Sequence, residues 1–159
     1  MPTSGTTVVL GRGAGDMIWD LADVVPAGWR QLAGCAAKVT IPTTFGAAFP
    51  VLRINGDVEL LGGTWTQASS NDGEMTYRLN VQATGDFTVG AEAGLDVSGR
   101  GYAKNTVVKP TASDFSLTNG SVVCPTDFGV ASERCAGGGA LRMVVGGVLT
   151  VDGNHIVWN

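Results

Sequence analysis

The chain has 159 residues, 44% hydrophobic and only 15% charged, with 24 glycines and a net charge of −4. That is long enough for one domain with a real core. It is too Gly-rich for a helical bundle, since each helical Gly costs about 1 kcal/mol relative to Ala, and at a pI near 4.7 it has no basic stripe for nucleic acid or an anionic membrane. Low charge and abundant Gly suit many short strands joined by tight turns.

No apolar run approaches the roughly 20 residues of a membrane helix. The opening MPTSGTTVVLGRGAG lacks the basic region and long apolar run of a recognisable signal peptide. The closing HIVWN reads as a strand without a polar cap, which favours a segment of a longer chain over a complete cytoplasmic protein.

Residues 1–38 are the least regular part, read as an N-terminal cap or first rung. Thr6–Leu10 is expected to be a short strand. Met17–Val25 fits a short amphipathic helix or a strand pair, with Ile18, Leu21 and Val25 at helical spacing and Pro26 as the stop. Trp19 and Trp29 read as core anchors, with a sugar-stacking platform as the alternative.

From Val39 to residue 159 the pattern is that of β rungs. Val39–Ile41 is a strand stopped by Pro42, and Val51–Ile54 and Val58–Leu61 flank Asn55-Gly56-Asp57. Asn-Gly ordinarily marks a hairpin turn. Here the surrounding phrase recurs, which favours stacking of one copy on the next. LRINGDVEL (52–60), LNVQATGDFTVGAEAGLDVSG (79–99) and LRMVVGGVLTVDG (141–153) are three versions of it. Leu79 aligns with Leu141, Thr88 with Thr150 and Val89 with Val151. Leu52 aligns with Leu79 at a spacing of 27.

Apolar residues alternate within each copy, the mark of strands with one buried face. Leu79, Val81, Ala83, Phe87, Val89, Leu95 and Val97 are expected inside, as are Leu141, Met143, Val145, Leu149, Val151, Ile156 and Trp158. Asn80, Gln82, Thr88, Asp96, Arg142, Thr150 and Asp152 are expected outside. Gly85, Gly94, Gly99, Gly147 and Gly153 supply the corners. The expected inner ladders are Leu52/Leu79/Leu141 and Leu60/Val89/Val151. The fold class that follows is all-β: a parallel β-helix, or solenoid, with one long corner loop over residues 100–139. An antiparallel β-sandwich is the alternative.

That loop is where the sequence stops repeating. It carries Tyr102, Phe115 and Phe128 among Lys104, Lys109, Asp114 and Asp127. Aromatic and polar residues on a loop held by a rigid scaffold form a common binding arrangement. The other reading has these aromatics folded back over the flank of the stack. Cys124 and Cys135 lie in the same stretch; a bridge between them is expected if the protein matures outside the cytoplasm, worth about 3 kcal/mol, and two free thiols are the alternative. Cys35 reads as a small buried residue.

Little in the sequence speaks for catalysis. His155 is the single histidine, and no GxSxG, HExxH or P-loop is present. Cofactors are expected to be none. Calcium at Asp96, Asp152 and Asn154 is the metal alternative; zinc lacks a ligand set. An enzyme reading would place Asp57, Asp86, Arg53 and Arg78 along one groove.

LDVSGRGY (95–102), a loop, then CAGGGALRMVVGGVLTVDG (135–153) resembles a recurring segment of large bacterial surface or secreted proteins, with phrases such as IDVSGKGY and GGGGGAIRLTVGGTLTVDG. Those proteins are similar to right-handed parallel β-helices of the pectin-lyase-like type. The resemblance covers Val39–Trp158 and not residues 1–38, and the loop is less Gly-dense than the pattern. It implies an extracellular or cell-surface location. It also implies a non-enzymatic structural or adhesive module of a larger exported protein, presenting its loop to a surface or glycan. The alternatives are a carbohydrate-active enzyme, either polysaccharide lyase or hydrolase, or its binding module, and a filament unit stacking end to end. The expected partners are a glycan or cell-surface ligand, and neighbouring repeats of a longer chain or further copies of this one.

Overall fold

A computed structural model describes residues 2–70, 76–102, 136–152 and the backbone of 156–157. The described residues contain no helix. They form eleven strands: β1 (Thr7–Leu10), β2 (Met17–Ile18), β3 (Gly28–Gln31), β4 (Lys38–Ile41), β5 (Leu52–Ile54), β6 (Val58–Gln67), β7 (Leu79–Ala83), β8 (Phe87–Asp96), β9 (Leu141–Val145), β10 (Leu149–Val151) and β11 (Ile156–Val157). Every strand pair is parallel, which excludes the antiparallel sandwich. The helical alternative for Met17–Val25 also falls, since its first two residues are β2 and the remainder is irregular.

One sheet has three strands in the order β5-β7-β9; the other has eight. In the larger sheet β6 and β8 are long and serve two rows each. The first half of β6 lies between β3 and the first half of β8, which in turn pairs with β10. The second half of β6 lies between β4 and the second half of β8, which pairs with β11. The register slips between Leu60 and Gly62, where β6 bends through Gly62-Gly63. Gly63 has φ 73°, and a side chain there would run into the Gln31 amide and the Ala37 carbonyl. Only Gly combines that dihedral with that approach.

Asn55-Gly56-Asp57 is therefore a corner between two sheets rather than a hairpin. The same corner recurs at Thr84-Gly85-Asp86 and Gly146-Gly147-Val148. The Gly85 N–H donates to the Gly56 carbonyl and the Gly147 N–H to the Gly85 carbonyl, each at 3.0 Å. Asp57 Oδ1 accepts the Asp86 N–H (2.9 Å), and Asp86 Oδ1 accepts the Val148 N–H (2.8 Å). These contacts fix the register, and they correct one expected ladder. Leu52 pairs with Val81, 29 residues on, and Leu79 with Leu141. Aligning leucine on leucine slips the first copy by two residues, while the glycine corner allows only 29. A two-residue slip keeps every side chain on its face. Leu149 and Val151, expected inside, are instead 48% and 36% exposed, and the side chains of Ile156 and Trp158 lie outside the described residues. The other ladder, Leu60/Val89/Val151, stands as expected.

The core holds Leu52, Ile54, Val58, Leu60, Leu79, Val81, Ala83, Phe87, Val89, Leu95 and Val97, each at most 2% exposed. Trp19, Trp29, Trp65 and Phe87 run through it edge to face at 4.9, 5.2 and 5.8 Å between ring centroids. Such pairs contribute roughly 0.5–1.5 kcal/mol each beyond area burial. Both N-terminal tryptophans are thus core, and residues 1–38 supply β1–β3 to the same sheet, in parallel register with the rest.

Asn80 departs from expectation. It is 3% exposed although it alternates outward. The chain between Thr43 and Pro50 lies over this part of β7. The Thr43 hydroxyl accepts the Asn80 N–H (3.0 Å), and the Asn80 amide donates to the Pro50 carbonyl (2.6 Å). Its Oδ1 accepts from Arg142 (3.2 Å), so the buried amide is satisfied.

Candidate functional site

The described segments around residues 67–70, 77, 100–102 and 137–140 meet at one corner. That corner is organised by Gln67, the last residue of β6, which has no exposed surface. Past the bend at Gly62-Gly63, Gln67 shares the inward parity of Trp65. Its Nε2 donates to the Tyr77 carbonyl (3.1 Å) and the Arg100 carbonyl (3.0 Å), and its Oε1 accepts the Ala140 N–H (2.9 Å). One side chain thereby satisfies backbone groups of Tyr77, Arg100 and Ala140, from three separate segments. Buried, these groups would cost about 1–3 kcal/mol each if left unpaired.

Neighbouring residues tighten the same corner. The Arg100 guanidinium donates to Ser69 Oγ (2.7 Å), and Ser70 Oγ accepts the Tyr77 N–H (3.1 Å). The Gly101 N–H donates to the Gly137 carbonyl (2.8 Å) and the Gly137 N–H to the Tyr102 carbonyl (3.0 Å). A Cβ at Gly101 would strike the Gly138 carbonyl, and one at Gly139 the Gln67 amide. Gly101 and Gly139 therefore let the chain at 100–102 and 137–140 approach closely.

Tyr102, whose carbonyl accepts the Gly137 N–H, is 6% exposed. Its expected exposure is corrected: it is buried beside the Gly101–Gly137 backbone pairing. Phe115, Phe128, Cys124 and Cys135 lie outside the described residues, as do Lys104, Lys109, Asp114, Asp127, Asn154 and His155. Cys35 is buried and free.

Of the groups expected to share an enzyme groove, Asp57 and Asp86 line one cleft that Arg53 and Arg78 do not. Asp57 and Asp86 line a cleft of about 290 Å³ together with Trp29, Arg30, Val58, Glu59 and Thr88. Arg53 lines a different cleft, of about 180 Å³, with Val25, Ile54, Asn55, Gln82 and Thr84. Arg78 lies 4.6 Å over the Phe45 ring. The two carboxylates already brace successive corners through backbone N–H groups, and Glu59 pairs with Arg30 at 2.7 Å. Asp96 accepts the Ser98 N–H at 2.9 Å. Among the described residues no group of three or more His, Cys, Asp or Glu side chains converges as a metal site would require.

Comparison with known protein families, curated proteins and solved structures gives no match. Gln67 is the residue that the sequence reading passed over. Its signal was a polar residue at inward parity just before a break in the repeat.

Proposed function

We propose that the chain is a right-handed parallel β-solenoid module, structural or adhesive, of a larger exported protein, and that it presents the 100–139 insertion to a surface or glycan. The observation that carries this reading is the joint held by Gln67. The insertion springs from two points clamped to one buried side chain and to each other, so it is anchored on the rigid part of the molecule. Loops held in this way are where recognition residues concentrate.

The parallel registers support the solenoid part. A strand, a corner and a second strand repeat at a step of 29 residues from Val58 to Phe87. Another step, from Phe87 to Leu149, accommodates the insertion. In a solenoid such an insertion leaves neighbouring coils undisturbed. Phe115 and Phe128 are the residues assigned to contact the ligand, with a Cys124–Cys135 bridge closing the segment between them in an oxidising compartment. Tyr102 belongs to the base and not to the contact surface.

Replacing Val107–Phe128 with a short Gly-Ser linker tests the proposal. Loop length adds little closure cost, so the variant is expected to keep its circular dichroism and melting temperature while losing binding on a glycan array or to cell-wall material. Unchanged binding by the folded variant would overturn the recognition role, and unfolding would make the loop a structural cover instead.

A further inference from the structure

We infer that the cleft at the ends of β5 and β7, on the outer face of the small sheet, is a binding site for a carboxylate. Arg53 is its cation, and the amides of Asn55 and Gln82 are its further donors. The site is separate from the 100–139 insertion and does not rest on the role proposed for it.

The corner at Asn55-Gly56-Asp57 divides two clefts of unlike charge. On one side Arg30 stands among Asp57, Glu59 and Asp86. On the other, the cleft of about 180 Å³ is lined by Val25, Arg53, Ile54, Asn55, Gln82 and Thr84, with one cation and no carboxylate. The outward positions of β5, β7 and β9 are Arg53, Asn80, Gln82, Arg142 and Val144, so these strands carry no acid on that face. In a chain of net charge −4 this is a local excess of positive charge. Asp57 and Asp86 each place one oxygen on a backbone N–H of the corner. Neither they nor Asp23, close to Val25 in the chain, forms an ion pair with Arg53.

The two sheets treat an arginine differently. Arg30 and Glu59 are register partners in the large sheet, and their side chains form an ion pair at 2.7 Å. Arg53 and Gln82 are register partners in the small one. A neutral amide stands where the carboxylate would be. Among the described residues the Arg53 side chain has no hydrogen-bond or ion-pair partner. Opposite charges at such positions stabilise a sheet. Here that gain is absent, and Arg53 and Gln82 are both exposed. The planar guanidinium presents paired N–H groups that match the two oxygens of a carboxylate.

The rest of the cleft is held in place by the corner. The Asn55 N–H donates to the Pro26 carbonyl (2.7 Å) and the Thr84 N–H to the Ile54 carbonyl (3.1 Å). The Thr84 hydroxyl donates to Asn55 Oδ1 (3.4 Å), which turns the Asn55 amide nitrogen away from Thr84 as a free donor. The Gln82 amide makes no hydrogen bond among the described residues, so its donors are free as well. Val25 and Ile54 supply an apolar wall. Sites for drug-sized ligands enclose about 300–1,000 Å³. This smaller cleft takes one carboxylate and the small group that bears it, an organic acid or a single acidic sugar unit.

The test is an NMR titration of the full, isotope-labelled chain with sodium acetate, sodium glucuronate and neutral glucose at constant ionic strength. Acetate and glucuronate are expected to shift the backbone amides of residues 53–55 and 82–84 and the Arg53 Nε–H in a saturable way, and glucose to leave them unmoved. Glucuronate binding several times tighter than acetate would assign the ligand to acidic sugars; binding no tighter would assign it to carboxylates in general. Arg53→Gln is expected to weaken binding by about tenfold or more, through the loss of charge-assisted hydrogen bonds, and Arg53→Lys to weaken it less. Gln82→Glu is expected to abolish binding by supplying an internal partner, as Glu59 does for Arg30, without lowering the melting temperature. No saturable shift, shifts of equal size at Arg30 and Lys38, or binding that survives both Arg53→Gln and Gln82→Glu would overturn the site. The same titration of the variant with residues 107–128 replaced keeps this result apart from the role of the insertion. Shifts retained there support the sheet face as the site, and shifts lost there would overturn it.

Discussion

The corner-and-strand phrase at β7–β8 and the one at β9–β10 are nearly the same sentence in different places. Phe87 and Leu149 hold equivalent positions, as do Val89 and Val151, yet the first of each pair is fully buried and the second is 48% and 36% exposed. Period-two patterning selects the side of the strand on which a residue lies. It does not select how much water that side meets. That depends on what packs against that side, which is set by the rest of the fold and not by the phrase.

The largest consequence is in the core. Phe87→Ala is expected to cost about 3–5 kcal/mol, the range for emptying a filled aromatic site. Leu149→Ala is expected to cost under about 1 kcal/mol, because half of its side chain is already hydrated. Urea unfolding of the two variants measures the difference. Equal costs would mean that the last copy is as well packed as the one below it.

The corners give a smaller contrast. A Cβ at Gly85 would collide with Asp57 Oδ1 and lie 2.9 Å from the Gly56 carbonyl carbon; one at Gly147 meets Asp86 and Gly85 in the same way. Gly85 has Gly147 above it and cannot move away, so Gly85→Ala is expected to cost about 1–3 kcal/mol, as overpacking does. Among the described residues no corner packs beyond Gly147, so it can rise. Gly147→Ala is expected to cost less in the same unfolding measurement, and a larger loss there would break the comparison.

The outer face should show no contrast at all. Thr88 and Thr150 are register partners that both point outward. Thr88→Ala and Thr150→Ala are each expected to stay within about 0.5 kcal/mol of the parent. A Thr88→Ala variant as damaged as Phe87→Ala would invert the assignment of the two faces.

These contrasts also mark what was legible in the sequence. Alternation located the strands and the buried face from β5 to β10, because each side chain there needs only its own parity to be placed. The corner at Gly56 was legible as a corner because its phrase recurs. Register was not: leucine aligned on leucine at 27 residues looked better than Leu52 on Val81 at 29, and only the close approach of Gly85 to Gly56 decides between them. Asn80 was misplaced because its cover comes from residues 43–50, far away along the chain. Gln31 and Gln67 were invisible for a related reason. A buried amide is acceptable only where its partners stand, and those partners are a tryptophan N–H and backbone groups from distant segments. At the candidate site the sequence reading missed Gln67, whose partners stand at Tyr77, Arg100 and Ala140.

The account stands on parallel stacking of successive copies, and cross-strand nuclear Overhauser contacts test it most directly. The predicted result is contact between Glu59 and Thr88 and between Thr88 and Thr150, the register partners along one outer row, with no ladder between β5 and β6. A ladder of contacts running from Ile54–Val58 outward on either side of Asn55-Gly56-Asp57, as in a hairpin, with Glu59 and Thr88 apart, would contradict it.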